Sequence, residues 1–423
     1  MSPWKRVCIS EVCESIIDCI NKTAPKIDEP SPYKMIRTTN IRHGRISLDS
    51  VKYVTEEVYR QWTRRQVPKP GDVLLTREAP MGEVGMLLTD DNVFLGQRIV
   101  SYRTDPKKLY NKFLLYTFQS KDLRDQIQSF ASGSTVQHMR VPDTKALTIS
   151  LPPIAEQKRI VAILDEAFEG IDGAIANTEK NLANARELFE SYLNAIFIRK
   201  GDDWVEKKLQ EILSVQPRNG WSPPAKNHSD TGIPVLTLSS VTGFQFDKDK
   251  VKHTSALTKP DAHYWLKDGE FLITRSNTRE LVGHVAICEE LTEPTICCDL
   301  IMKMQVDPRQ ADRRFVYWHY RTREMRELIS SSAQGANPTM RKINKSIVQN
   351  LPVALPKLAI QKELVEKIDA FEAETQRLEA IYQQKLAALN ELKQSILQRA
   401  FSGELTAEVG DAPVERAGAM EAA

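Results

Sequence analysis

Two stretches of this chain carry apolar residues at alternating steps of three and four. In the first they are Leu164, Phe168, Ile171, Ile175, Leu182, Ala185, Phe189, Tyr192 and Ile196, with Thr178 the one polar member. In the second they are Leu364, Ile368, Phe371, Leu378, Tyr382, Leu389, Leu392 and Ile396, interrupted by Thr375 and Lys385. A period of about 3.5 kept up over several heptads predicts a coiled-coil seam rather than the wider stripe of a globular helix. Pro153 and Pro356 stand where a helix start tolerates proline, and Gly201 and Gly403 where a helix should stop. Each helix should run about 45 residues, or about 65–70 Å. Alone in water such a stripe would stay exposed. Two of them can cover one another, and antiparallel pairing would set the blocks that precede them at opposite ends.

Those preceding blocks have a different texture. Short apolar runs at Val73–Thr76, Phe271–Thr274 and Val285–Cys288 lie between Gly, Pro and Asp turns and predict strands. Lys108–Gln119 and Arg314–Arg326 have helical spacing and few breakers. Each block is expected to be a small α+β domain with a strongly curved sheet. The tail, Ala407–Ala423, is rich in Ala, Glu and Gly without periodicity and is expected to be disordered.

The two halves repeat one another. Leu151-Pro152-Pro153-Ile154-Ala155-Glu156-Gln157-Lys158 returns as Leu355-Pro356-Lys357-Leu358-Ala359-Ile360-Gln361-Lys362, a shift of about 204 residues that holds without a gap to Phe197/Phe401. Upstream the match is fainter. Trp4, Ile9, Glu11 and Val12 answer Trp204, Leu209, Glu211 and Ile212, and Gly71–Arg77 answers Gly269–Arg275 in a register expected to reach Val84-Gly85 and Val282-Gly283. Gly133 to Met139-Arg140 is expected to correspond to Gly335 to Met340-Arg341. The period is far above the 20–50 residues of a solenoid, so a whole module is duplicated.

Composition narrows the field. The chain has 423 residues, 41% hydrophobic and 27% charged, with a net charge of +2. This is the profile of a globular protein of two or three domains, and any basic surface must be local. The six cysteines form no CxxC pair, which argues against zinc and disulfides and for reduced, mostly buried thiols. With no apolar leader and no run of about 18 apolar residues, an intracellular, cytoplasmic soluble protein is expected.

Catalytic signatures are missing. There is no GxxxxGK[ST], no GxGxxG after a strand, no GxSxG and no methyltransferase Asn/Asp-Pro-Pro-Tyr/Phe; Ser222-Pro223-Pro224-Ala225 lacks the amide and the aromatic. Asp143 with Glu156 and Lys158 satisfies a loose pattern for a metal-dependent nuclease. Glu156 falls in the first helical turn, where the helix dipole accounts for it. Its counterpart in the second half is Ile360, and no Asp matches Asp143. A nuclease with its own site and a coiled-coil scaffold whose ends bind protein remain as alternatives to a third reading.

That reading rests on specific strings: Leu-Pro-Pro-Ile-Ala-Glu-Gln-Lys-Arg-Ile-Val at 151–161, Gly-Ser-Thr-Val-Gln-His-Met-Arg at 133–140, Gly-Asp-Val-Leu-Leu-Thr-Arg at 71–77 and Ala-Phe-Ser-Gly-Glu-Leu at 400–405. With the repeated architecture, they resemble the specificity subunit of type I restriction–modification systems over residues 4–406. The second half departs at Lys357 and Ile360. The resemblance implies a non-catalytic chain with two target-recognition domains, 1–150 and 200–354. Each is followed by a long spacer helix, 151–199 and 355–402, and 403–423 forms a tail. The helices would pair as an antiparallel coiled coil with pseudo-twofold symmetry. Each domain would read one half of a split DNA site and the helices would set the gap. Two methyltransferase subunits using S-adenosylmethionine, and often a restriction/translocase subunit, would dock on it; the chain itself would bind no cofactor and no metal.

For DNA contact, Arg, Asn and Gln suit base edges, while Lys, Arg, Ser and Thr suit phosphates. The candidates are Arg42, His43, Arg45, Thr76, Arg77, Ser134, Thr135, Gln137, His138 and Arg140, then Arg218, Asn219, Thr274, Arg275, Ser276, Asn277, Asn337, Arg341 and Lys345. Residues kept in both halves (Thr76-Arg77 with Thr274-Arg275, Arg140 with Arg341) are expected on phosphate. Base readers are expected where the halves differ: 36–48, 78–83 and 134–138 against 216–230, 276–281 and 336–340.

Overall fold

In the computed structural model, residues 4–131, 137–201, 203–335, 337 and 340–405 are described. The helices in chain order are α1 (Glu56–Trp62), α2 (Asn111–Gln119), α3 (Lys121–Ser129), α4 (Val141–Ala146), α5 (Ile154–Ile198), α6 (Arg313–Arg321), α7 (Arg323–Ser332), α8 (Lys345–Gln349) and α9 (Leu358–Ser402). The chain forms two compact units: one holds the described residues up to Glu179 and from Gln384 on, the other Lys180–Gln383. Each long helix, 45 residues in both cases, contributes to both.

In the first unit an antiparallel sheet runs in the order Cys13–Asp18, Ile99–Thr104, Val73–Thr76, Val84–Met86. Its third strand is buried throughout because both faces are covered. Val73 and Leu75 join the core beneath α2 and α5, while Leu74 faces Ile36, Leu95 and Ile99. The second unit repeats this with Leu213–Asn219, Ile301–Val306, Phe271–Thr274 and Val285–Ile287. There Phe271 and Ile273 face the helices and Leu272 the opposite cluster. In each unit the strand that opens the block pairs with the one that leads into the long helix, Arg6–Cys8 with Thr148–Ser150 and Val205–Lys208 with Pro352–Leu355. The expected helix over Arg314–Arg326 is two helices. The Thr322 hydroxyl accepts from the Met325 amide and starts α7, as Ser120 starts α3 in the first unit.

Within each unit α5 and α9 pack antiparallel. In the first, α2 meets the start of α5 through Lys112–Asp165 and the end of α9 through the Phe113–Phe401 ring pair. In the second, Arg186 pairs with Glu379 at 2.9 Å, and Phe371 meets Phe189 and Tyr192. Of the residues assigned to the seam, Leu164, Phe168, Ile171 and Phe189 are buried; Ile175, Leu182, Phe371, Leu378, Tyr382, Leu389 and Ile396 are half-buried. Leu392 is a correction: it is 48% exposed, and Lys393 takes the inward place. The Lys393 ammonium lies 4.6 Å from the Phe168 ring centre and 2.7 Å from Asp172. Its aliphatic stem fills the seam while the charge is paired, which a hydropathy pattern cannot register. Leu397 and Ala400 are buried there too. Thr178 and Thr375 are tolerated because each hydroxyl donates to the carbonyl four residues back.

Candidate nucleic-acid interface

Two pairs of polar side chains join each globular block to its helix. Gln157 is fully buried: its Oε1 accepts from the Tyr110 amide at 2.8 Å, and its Nε2 donates to the Lys108 and Pro152 carbonyls. Gln361 repeats this with the Asp312 amide at 2.8 Å and the Pro356 carbonyl. Two turns on, Asp165 accepts from Lys112 and from the Tyr116 hydroxyl, each at 2.6 Å. Asp369 accepts from Arg314 at 2.6 Å and the Trp318 indole N–H at 2.7 Å. The partners stand four residues apart on α2 and on α6, so each carboxylate clamps one face of a helix. Sequence reasoning missed this joint. Its signal was the retention of Gln157/Gln361 and Asp165/Asp369 at one common shift.

Of the residues shared by both halves, Thr76, Arg77 and Thr274 are internal and Arg275 is half-buried. Thr76 and Thr274 are fully buried. Their hydroxyls donate to the Pro80 and Leu281 carbonyls and accept from the Glu83 and His284 amides, tying a loop. Arg77 is 5% exposed and donates to the Met139 carbonyl; Arg275 donates to the Asp299 carbonyl. Ser276 is buried. These contacts account for the retention of Thr76, Arg77 and Thr274 by packing, and those three do not face solvent as phosphate contacts would.

Two expected registers change. The Gly82 amide donates to the Thr76 carbonyl and the Gly283 amide to the Thr274 carbonyl, so Gly283 answers Gly82 and not Gly85. The loop returns six positions on in the first unit and nine in the second. Likewise the Met139 and Ile343 amides donate to the Arg77 and Arg275 carbonyls. Arg140 and Asn344 are therefore the matching residues, each at the start of a short helix, and Arg341 is not the counterpart of Arg140.

The loops that differ carry the exposed polar groups. His43 and Gly44 both have positive φ and form the tip of a tight hairpin in which Arg42 pairs with Arg45. Glu83 accepts from the His43 amide at 3.0 Å. In the second unit Gly243 and Phe244 have positive φ, and the Nδ1 of His284 takes the place of Glu83, accepting from the Gly243 amide at 2.9 Å. Burial, with the Arg326 charge beside it, pushes His284 down to about 4, so the ring is neutral and can accept. His43, Arg45, Gln137 and Arg140 are exposed in the first unit; Arg218, Asn219, Asn337 and Lys345 in the second. Arg45 reaches Asp172, and Arg140 is forked onto Asp143, whose hydrogen bonds raise its pKa. Arg42 is turned inward onto the Thr38 and Ile41 carbonyls, His138 is half-buried, Asn277 caps its own loop, and Arg341 donates to Gly335. Ser134 and Thr135 lie outside the described residues.

The nuclease triad does not assemble. Asp143 is committed to Arg140, and Glu156 lies 3.8 Å from Arg159. Among the described residues no group of three or more His, Cys, Asp or Glu side chains could hold a metal ion. All six cysteines are free, four of them buried. No helix among the described residues is long and apolar enough to cross a membrane.

The family model for the type I restriction modification DNA specificity domain matches this chain twice, at residues 1–182 and 201–388. The chain belongs to that family. It is 23% identical over 390 residues to the type I restriction enzyme EcoKI specificity subunit of Escherichia coli K12, covering 88% of this chain and 82% of that one. It is also 23% identical over 395 residues to the StySPI specificity subunit of Salmonella potsdam, with the same coverage. A chain from a structural study of complex assembly and conformational transition of the type I restriction–modification system has the same fold. Its TM-score is 0.70 at 18% identity, covering 95% of this chain and 98% of that one.

Proposed function

We infer that this chain is the DNA-recognition subunit of a type I restriction–modification complex, reading a two-part asymmetric site and serving as the platform for methyltransferase subunits. The observation that carries this is the double family match laid on two units with one scaffold and different loops. Equal sheets and equal helix joints make the units alike where partners must be held. The tight turns at 42–45 and 242–245 and the loops after Thr76 and Thr274 differ, as two half-site readers require. His43, Arg45, Gln137 and Arg140 in one unit, and Arg218, Asn219, Asn337 and Lys345 in the other, have the chemistry for bases and phosphates. Catalysis is delegated: two methyltransferase subunits, drawing on S-adenosylmethionine, would modify adenine, and a restriction/translocase subunit could join them in the cytoplasm. The long helices would fix the unread gap.

The test is a map of methylated adenines in DNA from cells carrying the chain with its methyltransferase. A two-part motif with a fixed gap is expected. A single uninterrupted motif, or cleavage of DNA by the purified chain with Mg²⁺ alone, would overturn the reading.

A further inference from the structure

In each unit one bond ties the tight turn to the loop after the buried threonine, and the two units make it with different side chains. The turns correspond through the backbone. The Ser47 amide donates to the Asn40 carbonyl as the Asp247 amide does to Ser240. Each turn also has two successive residues at positive φ, His43-Gly44 and Gly243-Phe244. The loops correspond through the glycine that closes them, so Glu83, one past Gly82, answers His284, one past Gly283. The Oε2 of Glu83 accepts from the His43 amide at 3.0 Å, and the Nδ1 of His284 accepts from the Gly243 amide at 2.9 Å. A carboxylate and a neutral imidazole share an acceptor and little else. The side chain differs between the units and the bond stays.

The bond runs from a fixed post to a projecting turn. The amides of Glu83 and His284 donate to the hydroxyls of Thr76 and Thr274, which roots each acceptor's own backbone in the central sheet. In the second unit Arg326 also holds the loop, by the Glu280, Val282 and Gly283 carbonyls. His284 joins these parts: its Nε2 lies 3.2 Å from the Glu280 carbonyl, and its ring stacks on Phe244 at 4.1 Å. The turns are held more lightly. Pairing of Arg42 with Arg45 leaves the amides of the two residues between them to outside acceptors, and they find Glu83 and the Val84 carbonyl. In the second unit Asn277 reaches the Thr242 hydroxyl at 3.5 Å. Beyond these ties the turns expose polar side chains, His43 and Arg45 in the first unit and Gln245 in the second.

We propose that Glu83 and His284 are positioning residues for half-site recognition, each fixing its unit's turn against the loop so that both meet DNA as one rigid surface. This rests on the DNA-reading function proposed above. Choice of base depends on bidentate hydrogen bonds, which tolerate little displacement of the donor, whereas attraction to phosphate is non-directional by comparison. A loosened turn therefore loses choice of base before it loses hold on the duplex. Each bond lies inside one unit, so each residue governs one half-site.

The experiment uses the complex of the full chain with its methyltransferase. Methyl transfer is measured on duplexes carrying the site found by the methylation map, and on duplexes with one base pair changed in either half. Glu83→Ala should lower the ratio of intact-site to mismatched-site rates about tenfold for changes in one half, and leave the other half untouched. Glu83→Gln keeps an acceptor and should retain the native ratio. His284→Phe keeps a ring against Phe244 without the acceptor, and should relax the opposite half. Native ratios in Glu83→Ala, equal relaxation of both halves, or failure of Glu83→Gln to rescue overturns the proposal. So does a uniform loss of rate on every duplex with a lowered urea midpoint, which marks a residue that only holds the fold. Should His284→Phe unfold, Glu83→Ala decides alone, since its turn keeps the Gly44 bond to Val84. A native chain that marks no two-part site overturns the reading of function itself, so the two failures are distinguishable.

Discussion

Replacing Asp369 by alanine removes the shared acceptor of Arg314 and Trp318. The indole N–H of Trp318 is on a fully buried side chain, so it loses its bond with no water to replace it. Leaving such a donor unpaired costs about 1–3 kcal/mol. The Arg314 side chain is 37% exposed, so its ion pair is screened and contributes at most about 1 kcal/mol. The sum is a loss of about 1–4 kcal/mol for the second unit. Asp369→Asn separates the terms, because an amide oxygen can still accept from the indole; only the screened charge is lost, about 1 kcal/mol or less. The urea midpoint of the full chain is the assay. With a slope of about 2–3 kcal/mol/M, the alanine variant should fall by about 1 M and the asparagine variant by a third of that or less. Equal losses in the two variants would refute the reasoning, since the buried indole would then not be what the carboxylate serves.

The helix seam makes a sharper contrast: Leu397→Asp should be severely destabilising, whereas Leu392→Asp, on the exposed side, should stay within about 0.5 kcal/mol by the same assay. His284 gives a pH signature. Its folded pKa is depressed to about 4 from the ordinary 6.5, so its contribution is full above 6.5, falls as protons bind the unfolded chain first, and is gone below about 4. Urea midpoints measured across that window should lose slope in His284→Met, although His319, depressed to about 3 by burial, keeps some of it. Lys345→Ala and Arg218→Ala should weaken DNA binding by the assembled complex and each lower the salt slope by about 1, while Arg77→Ala should act on stability instead. An unchanged salt slope in both exposed variants would remove them from the interface.

Much of this fold could be read from period and repetition alone. The 45-residue helices, their ends and their pairing follow from apolar spacing, because a seam must be covered along its whole length. The strands at Val73–Thr76 and Phe271–Thr274 announce themselves because burial on both faces makes three successive residues apolar before the closing threonine. What escaped were positions where a polar side chain does interior work. Lys393 occupies a seam place that pattern gave to Leu392, and Thr76 and Arg77 looked like surface chemistry but close a loop. The loop registers escaped for a related reason. Val-Gly occurs at 84–85 and at 282–283, yet hydrogen bonding to the threonine carbonyl, not residue identity, decides which glycine turns the chain.

The loop tied by Thr76 or Thr274 begins and ends on bonds made by one threonine, whatever lies between. Its length is thereby uncoupled from the sheet: three extra residues in the second unit leave Phe271–Thr274 paired as Val73–Thr76 is. An insertion there changes what projects from the surface without reopening the folding problem. The chain can vary its vocabulary at that point while its grammar stays fixed.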